Sequence, residues 1–451
     1  MSYSPNKLLP ALQQAPATKR YVVALSGGLD SIVLLHSLCA LRDEGQLTTE
    51  LSALHINHNL SPSAQQWQAF CQQTCEDWQV SLHTEAVEVS ASGSLEAAAR
   101  SGRYQAFREL LQADDLLLMA HHLDDQIETV LFRLIRGAGA QGLAGIPPQR
   151  KLGAGRLLRP LLQYGRAELA EYAAAHQLAW QEDASNSDEQ HDRNYLRHQV
   201  LPQLEQRWPD YRQSWRKSLA LLTENDELQK QLGAIDLRDA STALGGISVT
   251  VMQGLGSARQ RNLVRCWLQQ LGVSDPGWNT LHQFVSEFIP GGSPGSKFAL
   301  ESCDVYQHKA QLFAVRPLPE SGLNAQTLSL DGGALDFSLS GNGRLRIEAS
   351  QAEGVYPLPH SLQVKYRKGG ESLKLKGRPQ KKLKQLLQES GMPPWQRQRV
   401  PLLFADTELV CVPGVGIAES YLAQSGQNGM KVVWAAPTQL LTPKSPHSKI
   451  G

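Results

Sequence analysis

The strongest chemical signal in the sequence is a short glycine-rich segment between an apolar run and a long apolar helix. The segment is Ser26-Gly27-Gly28-Leu29-Asp30-Ser31. Two adjacent glycines let backbone N–H groups approach anionic oxygens without a Cβ in the way, and the serine hydroxyls add donors. The N-terminus of the following helix adds unpaired N–H groups and a partial positive charge. The same residues also suit a plain strand-to-helix turn, so the segment alone fits a phosphate-binding loop and a structural turn equally well.

Two familiar nucleotide-binding loops do not occur. The chain has no GxxxxGK[ST] motif, which excludes a Walker-type loop, and no GxGxxG follows the first apolar run. A dinucleotide-binding fold therefore has no support.

A second group of reactive residues lies at the predicted start of another helix. Asp124, Asp125 and Glu128 follow the pair His121-His122, and Asp124 and Glu128 are one helical turn apart on the same face. Carboxylates there can bind an ammonium group, accept a proton or hold Mg²⁺. They can also simply complement the helix dipole. The histidine pair suggests zinc, but no further ligands follow at a recognisable spacing, so we expect no structural metal.

Three further sets of polar residues are candidates for binding. His55, Asn57 and His58 lie at the end of the second predicted strand, and Arg193 and Arg197 share one helical face. Arg136 precedes a glycine-rich stretch. Residues 365–384 hold nine Lys and Arg against the single acid Glu371, and this basic surface includes Lys381, Lys382 and Lys384. It suits the phosphates of a nucleic acid, although a solvated charged face has the same composition.

The elements that must position these residues alternate between strand and helix. Apolar runs at 21–25, 51–56, 82–89 and 116–120 predict strands, and the segments 31–41, 62–78 and 96–111 predict helices. This order is typical of an α/β fold with a doubly wound parallel sheet. Ligands of such sheets bind beyond the carboxyl ends of the strands, which is where the candidate residues fall.

The rest of the chain predicts two more domains. We expect a catalytic domain over 1–210, a mainly helical domain over 211–345 and a small α+β domain over 355–440, with a linker near 341–359. Residues 1–210 hold 17 Lys and Arg against 24 Asp and Glu, whereas residues 211–451 hold 27 against 19. An acidic catalytic half and a basic half that binds a polyanion would explain this difference, as would solubility alone.

Composition excludes several classes of protein. The 451 residues are 41% hydrophobic, which is enough for buried cores. No run approaches the roughly 18 apolar residues of a membrane span, and the first residues do not resemble a secretory leader. Six cysteines without a CxxC pair fit a reducing compartment, so we expect a cytoplasmic protein without a membrane partner.

The motifs together resemble a known family. SGGxDS after the first strand resembles the pyrophosphate-binding loop of the ATP pyrophosphatases, which share an adenine nucleotide α-hydrolase-like fold. Seven further motifs, in the order of the chain, resemble those of the tRNA(Ile)-lysidine synthetase family. They are His55-Ile56-Asn57-His58, His121 to Thr129, Arg136 to Gly139, Gly142 to Gly145, Arg159-Pro160-Leu161-Leu162, Glu182 to Asn186 and Arg193 to Arg197. The one departure is Ala184, where the family pattern leads us to expect a proline. Arg261-Asn262, Trp267-Leu268, Lys384 and Pro393-Pro394-Trp395 resemble the two C-terminal domains of the longer members.

The resemblance implies a reaction. ATP, with Mg²⁺, adenylates the C2 oxygen of the wobble cytidine of tRNA(Ile) bearing a CAU anticodon. Free L-lysine then displaces AMP, which gives lysidine. The resemblance implies that Ser26 to Ser31 bind ATP, that His55, Asn57 and His58 lie near the nucleotide, and that Asp124, Asp125 and Glu128 bind lysine or Mg²⁺. Arg136, Arg193 and Arg197 would contact tRNA or the adenylate, and Lys381, Lys382 and Lys384 the tRNA phosphates. Monomer and homodimer both stay open.

The loop is also compatible with a second enzyme of the same superfamily and with a protein of another class, which has no catalytic activity. A tRNA thiolase of the same superfamily needs reactive cysteines, whereas Cys39, Cys71 and Cys75 lie within apolar helix faces. An RNA-binding protein with a relict loop would have lost part of the loop or of the acidic helix start, and both are complete.

Overall fold

The computed structural model describes residues 3–57, 64–87, 95–182, 192–319, 323–330, 335–350, 354–356, 359–424 and 427–442. The chain divides into two compact units, Met1–Leu228 and Gln229–Gly451.

The first unit is built on a six-stranded sheet in the order β3-β2-β1-β4-β6-β5. All neighbouring strands are parallel except β5, which forms an antiparallel hairpin with β6. The strands are β1 (Arg20–Ala24), β2 (Glu50–Asn57), β3 (Ser81–Ala86), β4 (Asp115–Leu118), β5 (Gln149–Leu152) and β6 (Gly155–Leu158).

In the described part of the chain, one α-helix precedes β1, five lie between strands of this sheet and four follow β6 before the second unit. They are α1 (Leu9–Gln13), α2 (Leu29–Asp43), α3 (Ala64–Asp77), α4 (Leu95–Leu110), α5 (Leu123–Ile135), α6 (Ala140–Leu143), α7 (Arg166–Ala175), α8 (Asp192–Tyr195), α9 (Leu201–Arg207) and α10 (Tyr211–Ala240), which runs on into the second unit. A π-helical turn, Leu196–Val200, joins α8 to α9. Helix α2 is buried along most of its length, as its nearly continuous apolar sequence predicts.

Strand pairing explains why the two candidate motifs meet. Strand β1 pairs in parallel with β4, from Arg20 opposite Asp115 to Val23 opposite Leu118. The glycine-rich segment follows β1 and the histidine pair follows β4, so both leave the same edge of the sheet side by side. The predicted doubly wound sheet is thereby confirmed.

The second unit begins with helices and a four-stranded sheet of order β7-β10-β9-β8. The helices are α11 (Val249–Gln253), α12 (Ser257–Gln270), α13 (Gly277–Gln283) and α14 (Ile289–Gly291), with a π-helical turn at Phe284–Phe288. The strands are β7 (Ile247–Ser248), β8 (Lys297–Ala299), β9 (Asp304–His308) and β10 (Gln311–Val315). The predicted helical character therefore holds for the first part of this region, before strands take over.

The C-terminal part of the second unit is mostly β structure around one helix, α15 (Leu383–Glu389). Its sheets have the orders β11-β14-β17-β18-β19, β12-β13-β20 and β15-β16. The strands are β11 (Gln326–Ser329), β12 (Asp336–Ser338), β13 (Arg344–Ser350), β14 (Ser361–Lys365), β15 (Ser372–Leu373), β16 (Lys381–Lys382), β17 (Leu402–Ala405), β18 (Glu408–Val412), β19 (Gly416–Ile417) and β20 (Gly429–Ala435).

The predicted linker over 341–359 is wrong for residues 344–350, which form strand β13. Strand β13 pairs with β20 over seven residues, from Arg344 opposite Ala435 to Ser350 opposite Gly429. Alternate side chains of β13, Leu345 and Ile347, are buried in the C-terminal core. Only two large apolar residues, Leu345 and Ile347, mark the period of two in this strand, so the alternation did not stand out from a loosely patterned loop.

A buried arginine, Arg399, connects the residues just before β13 with those that follow β10. Arg399 donates to Asn342 Oδ1 at 3.2 Å and to the carbonyl oxygens of Gly341, Leu318 and Pro319. Asn342, which is fully buried, donates back to the Arg399 carbonyl at 2.7 Å. Nearby, Trp395 packs on Phe313 and Val315 of β10. These contacts help to hold the two parts of the second unit together.

The three cysteines of the first unit are buried thiols. Cys39, Cys71 and Cys75 are buried and unpaired, and burial raises the pKa of each thiol, to about 11 for Cys39 and about 12 for the other two. Such thiols are protonated at neutral pH, unlike reactive cysteines.

Within the part of the chain that the structure describes, no helix is long and apolar enough to cross a membrane.

We expect Arg399→Leu to lower the unfolding free energy of the second unit by about 3 kcal/mol, because it leaves several buried acceptors without a donor. Urea unfolding followed by circular dichroism measures this loss. Arg344→Leu, which removes an exposed arginine paired with Asp336, is the matched control and should cost less than about 1 kcal/mol. Equal losses in the two variants would contradict the proposed importance of the Arg399 contacts.

Candidate active site

The glycine-rich segment forms a turn at the start of helix α2, and its own serines hold the turn by hydrogen bonds. Gly27 has φ of 86°, and Gly28 is the N-cap residue. The Ser26 N–H donates to Ser31 Oγ at 3.2 Å, and the Ser31 hydroxyl donates to the Gly28 carbonyl at 3.0 Å. The turn therefore keeps a defined shape by itself, while the first N–H groups of α2 point out of the helix start.

Gly27 cannot be replaced without strain. A Cβ on Gly27 would lie 3.1 Å from Cys71 Sγ and 3.5 Å from the Phe70 ring, both on α3. Its positive φ is also one that L-amino acids with a side chain rarely adopt. The packing of α3 against the turn thus accounts for the position of buried Cys71.

A histidine lies between two carboxylates beside this turn. His122 is the N-cap of α5: its Nδ1 accepts from the Asp125 N–H, and Asp125 Oδ2 accepts from the His122 N–H at 2.9 Å. Because Nδ1 accepts, the ring proton of neutral His122 is on Nε2. That nitrogen lies 3.6 Å from Asp30 Oδ2 and 3.5 Å from Asp125 Oδ2. The histidine thus links the helix start to the glycine-rich turn.

Asp30 and Asp125 have opposite shifts in acidity. Burial raises the pKa of Asp30, and nearby His122 offsets this only in part. Burial also acts on Asp125, but His122, His121 and the His122 N–H lower its pKa below the ordinary value. Asp30 Oδ1 is buried without a hydrogen-bond partner among the described residues. It is therefore an acceptor that a cation or a bound donor can use.

Asp124 has a different task, because both of its oxygens are occupied. Oδ2 accepts from the Arg166 N–H at 2.8 Å, at the start of α7, and Oδ1 accepts from Arg212 Nε at 2.7 Å, at the start of α10. Burial alone would raise the pKa of Asp124, but these hydrogen bonds lower it below the ordinary value. Asp124 thus joins three helices.

Glu128 forms a buried ion pair with Arg197. Both oxygens accept from the guanidinium, at 2.7 Å from Nε and 2.9 Å from NH2. Burial raises the pKa of Glu128 more than Arg197 lowers it. Arg197 NH2 also lies 3.7 Å from Asp125 Oδ1, and Arg193 donates to Thr129 at 3.0 Å. Arg197 lies on the π-helical turn, a distortion often found at functional sites.

These side chains surround a cavity of about 370 Å³. Its walls combine carboxylates, guanidinium groups and apolar side chains. The residues named above that line it are Leu29, His122, Asp124, Glu128, Arg166, Arg197 and Arg212, and Trp180, Glu182 and Glu205 join them. A cavity with both charges on its walls suits a small zwitterion, which carries an ammonium and a carboxylate.

Three family models match successive parts of the chain. A model described as PP-loop domain matches residues 3–204, one described as TilS substrate binding domain matches 247–312, and one described as TilS substrate C-terminal domain matches 362–434.

Curated relatives match nearly the whole chain. Three tRNA(Ile)-lysidine synthases illustrate this: that of Pseudomonas aeruginosa is 40% identical over 96% of this chain and 97% of its own. That of Pseudomonas fluorescens is 39% identical over 90% and 92%, and that of Escherichia coli O157:H7 is 35% identical over 94% and 98%. The chain belongs to the tRNA(Ile)-lysidine synthase family. The predicted family and the class of ATP-dependent, tRNA-modifying ligase are therefore confirmed.

Membership of the tRNA(Ile)-lysidine synthase family does not by itself assign the site residues, so their positions matter. The structure brings together Ser26 to Ser31, Asp124, Asp125, Glu128 and Arg197. His55 is buried and its Nδ1 donates to the Leu25 carbonyl at 2.9 Å, just before the turn, while Asn57 donates to Gln68 of α3. His58 lies outside the described residues.

Arg136 does not lie beside the carboxylates. It is the C-cap of α5, roughly 16 Å along the helix from Asp125 at 1.5 Å per residue, and its guanidinium lies 5.1 Å from the centre of the Phe132 ring. Its predicted contact with tRNA or the adenylate stays a prediction.

The site also contains residues whose roles the sequence did not indicate. Arg212 and Arg166 contact Asp124, yet they are 88 and 42 positions away in the chain, so no local pattern links them. Arg159 is buried: it donates to His121 Nδ1 at 3.3 Å and to the Tyr104 hydroxyl at 3.2 Å. Burial lowers the pKa of His121 to about 4, which keeps this imidazole neutral. The sequence signal for Arg159 was its place in the motif Arg159-Pro160-Leu161-Leu162, to which no role was given.

The basic C-terminal surface is less charged than its own segment suggests. Lys381 pairs with Glu389 at 2.7 Å, and Lys374 pairs with Glu419 at 2.8 Å. Both acids come from outside residues 365–384. Lys382 and Lys384 are exposed, while Leu383, Leu386 and Leu387 are buried, so α15 has an apolar face in the core and a basic face in solvent.

We expect Gly27→Ala to weaken ATP binding at least 10-fold, because the new Cβ must displace Cys71 or distort the turn. Isothermal titration calorimetry measures the dissociation constant. Gly45→Ala is the matched control, since Gly45 also has a positive φ of 71° but has nothing within 4 Å of its Cβ position. Equal weakening in both variants would show that the effect is general destabilisation.

We expect Asp124→Asn to lower the unfolding free energy by about 2 kcal/mol at pH 7. The folded pKa of Asp124 lies below the unfolded value of about 3.9, so its ionised form stabilises the fold above that value. This stability is lost as the pH falls through the folded pKa, and the difference between wild type and variant should narrow below about pH 4. Urea unfolding at pH 7 and 3.5 tests this, with exposed Asp114→Asn as control. An equally large difference at both pH values would contradict it.

Proposed function

We propose that this enzyme joins free L-lysine to C2 of the wobble cytidine of tRNA(Ile) with a CAU anticodon. The reaction proceeds through an adenylated cytidine and converts ATP to AMP and pyrophosphate. Its product, lysidine, changes decoding from AUG to AUA. The observation that carries the proposal is the position of the glycine-rich turn beside a cavity with carboxylates and guanidinium groups on its walls.

In the first step the C2 oxygen attacks the α-phosphorus of ATP and pyrophosphate leaves. Ser26, Gly27, Gly28, Leu29, Asp30 and Ser31 hold the pyrophosphate, with backbone N–H groups and hydroxyls as donors. Mg²⁺ fits beside this turn, because Asp30 Oδ1 is an unused buried acceptor and Asp125 is close. Bound there, Mg²⁺ would balance phosphate charge.

In the second step the ε-amine of lysine attacks C2, the C2–O bond breaks, and AMP leaves with the oxygen. The amine must first give up a proton. Glu128 is suited to accept it, because burial raises its pKa and makes its carboxylate a stronger base than an exposed glutamate. The Glu128 carboxylate contacts both Arg197 and the ammonium group of the incoming lysine. Arg166 or Arg212 can pair with the lysine carboxylate.

The tRNA contacts extend over the three proposed domains, 1–210, 211–345 and 355–440. Arg136, Arg193 and Arg197 contact the anticodon region or the adenylate, and His55, Asn57 and His58 border the nucleotide. Lys381, Lys382 and Lys384 contact phosphates further along the tRNA, which adds affinity without reading sequence. The cytoplasm is the proposed compartment, because all six cysteines are unpaired.

Incorporation of labelled L-lysine into unmodified tRNA(Ile) with a CAU anticodon tests the proposal. We expect incorporation that requires ATP and Mg²⁺, and none with methionine tRNA of the same anticodon. Pyrophosphate release without lysine transfer would retain adenylation but overturn lysine as the nucleophile.

Two variants separate the steps. We expect Asp30→Ala to lose both pyrophosphate release and lysine transfer, because the cation and the turn lose a carboxylate. Glu128→Gln should retain tRNA-dependent pyrophosphate release but slow lysine transfer roughly 100-fold, as is typical when a general base is lost. Loss of both activities in Glu128→Gln would contradict its assignment to the second step.

A further inference from the structure

An exposed pair of stacked rings lies on helix α13 in the second unit. Trp278 is 59% exposed, which is unusual for so large an apolar side chain. Its ring centre lies 4.8 Å from that of His282, and the two planes differ by only 6°. Residues four apart share a helix face, so the stack follows from their spacing.

The core does not need this pair. The inward side of the same segment is anchored by Leu281, Phe284 and Val285, all of them buried in the core of the helical part. The stack lies on the outward side, among the exposed polar residues Asn279 and Gln283. The result is a flat aromatic surface whose orientation is fixed by the helix and by the histidine behind it.

Helix α12 brings an arginine near the start of α13, where an aspartate pairs with it. Helix α12 has three arginines and no acidic residue. Arg265 Nε donates to Asp275 Oδ2 at 3.0 Å, and Asp275 Oδ1 accepts from the Gly277 N–H at 3.0 Å. This chain of contacts places a guanidinium, paired with Asp275, close to the first turn of α13, to which Trp278 belongs. An aromatic face beside a cation suits a base together with its phosphate.

We propose that Trp278 and His282 form a platform on which an unpaired base of the tRNA substrate stacks. The proposal rests on the proposed function, since it names a contact of the same RNA. Unpaired bases are commonly bound on aromatic side chains, and every base offers a π-face. Trp278 lies within residues 247–312, which match the model described as substrate binding domain.

Trp278→Leu and Trp278→Phe distinguish stacking from plain apolar contact, because leucine keeps apolar bulk but has no π-face. The dissociation constant for tRNA(Ile) is measured by filter binding across a series of salt concentrations. We expect Trp278→Leu to weaken binding by a factor of about 5 to 150, the range for loss of one stacked base, and Trp278→Phe to restore most of it. The slope of log K against log salt should not change, because no phosphate contact is lost.

Leu244→Ala is the control, since Leu244 is also an exposed apolar residue of the second unit. It should bind tRNA like wild type, and all variants should keep the wild-type unfolding midpoint and ATP affinity. Wild-type affinity in Trp278→Leu, or equal losses in the leucine and phenylalanine variants, would overturn the platform. Failure of the wild-type enzyme to attach lysine would instead overturn the proposed function, so the two failures are distinguishable.

Discussion

The parallel pairing of β1 with β4 is the contact on which the site depends. It places the starts of α2 and α5 next to each other at one edge of the sheet. Both helix starts direct N–H groups and partial positive charge toward the same space. That positive charge stabilises phosphate groups and carboxylates. The site can therefore bind a phosphate even though four acidic residues already lie close together there.

This arrangement has an electrostatic cost, which two arginines from later in the chain offset. Asp30, Asp124, Asp125 and Glu128 are all at least partly buried, and burial alone raises the pKa of each. Arg212 stabilises Asp124 and belongs to a helix start, whereas Arg197 pairs with Glu128 from a π-helical turn. The outcome differs between the four acids. Asp124 and Asp125 are held ionised, while Asp30 and Glu128 keep a raised pKa and can respond to a ligand.

The sequence predicted the frame of this site because its signals were local. The apolar runs, the glycine pair and the acidic helix start are each patterns of a few consecutive residues. The runs form the strands, and the other two motifs lie at the predicted edge of the sheet. Contacts that depend on distant parts of the chain could not be predicted in this way. Arg212 reaches Asp124 across 88 positions, and the short strand β13 was mistaken for a linker because its partner, β20, lies about 80 residues away.

Charge counting shows the same limit in the C-terminal part. Within residues 365–384 the sequence contains nine basic residues and one acid, but the fold brings in Glu389 and Glu419 to pair with Lys381 and Lys374. Ion pairs at the surface contribute little stability, so these lysines can exchange their carboxylates for phosphates at small cost. Part of the affinity for RNA must therefore come from groups that make interactions other than ion pairs. An exposed aromatic face is such a group, because stacking does not weaken as counterions are added. The basic surface would then attract the RNA from a distance in a salt-sensitive way, and the aromatic ring would fix its position through a contact that salt does not weaken.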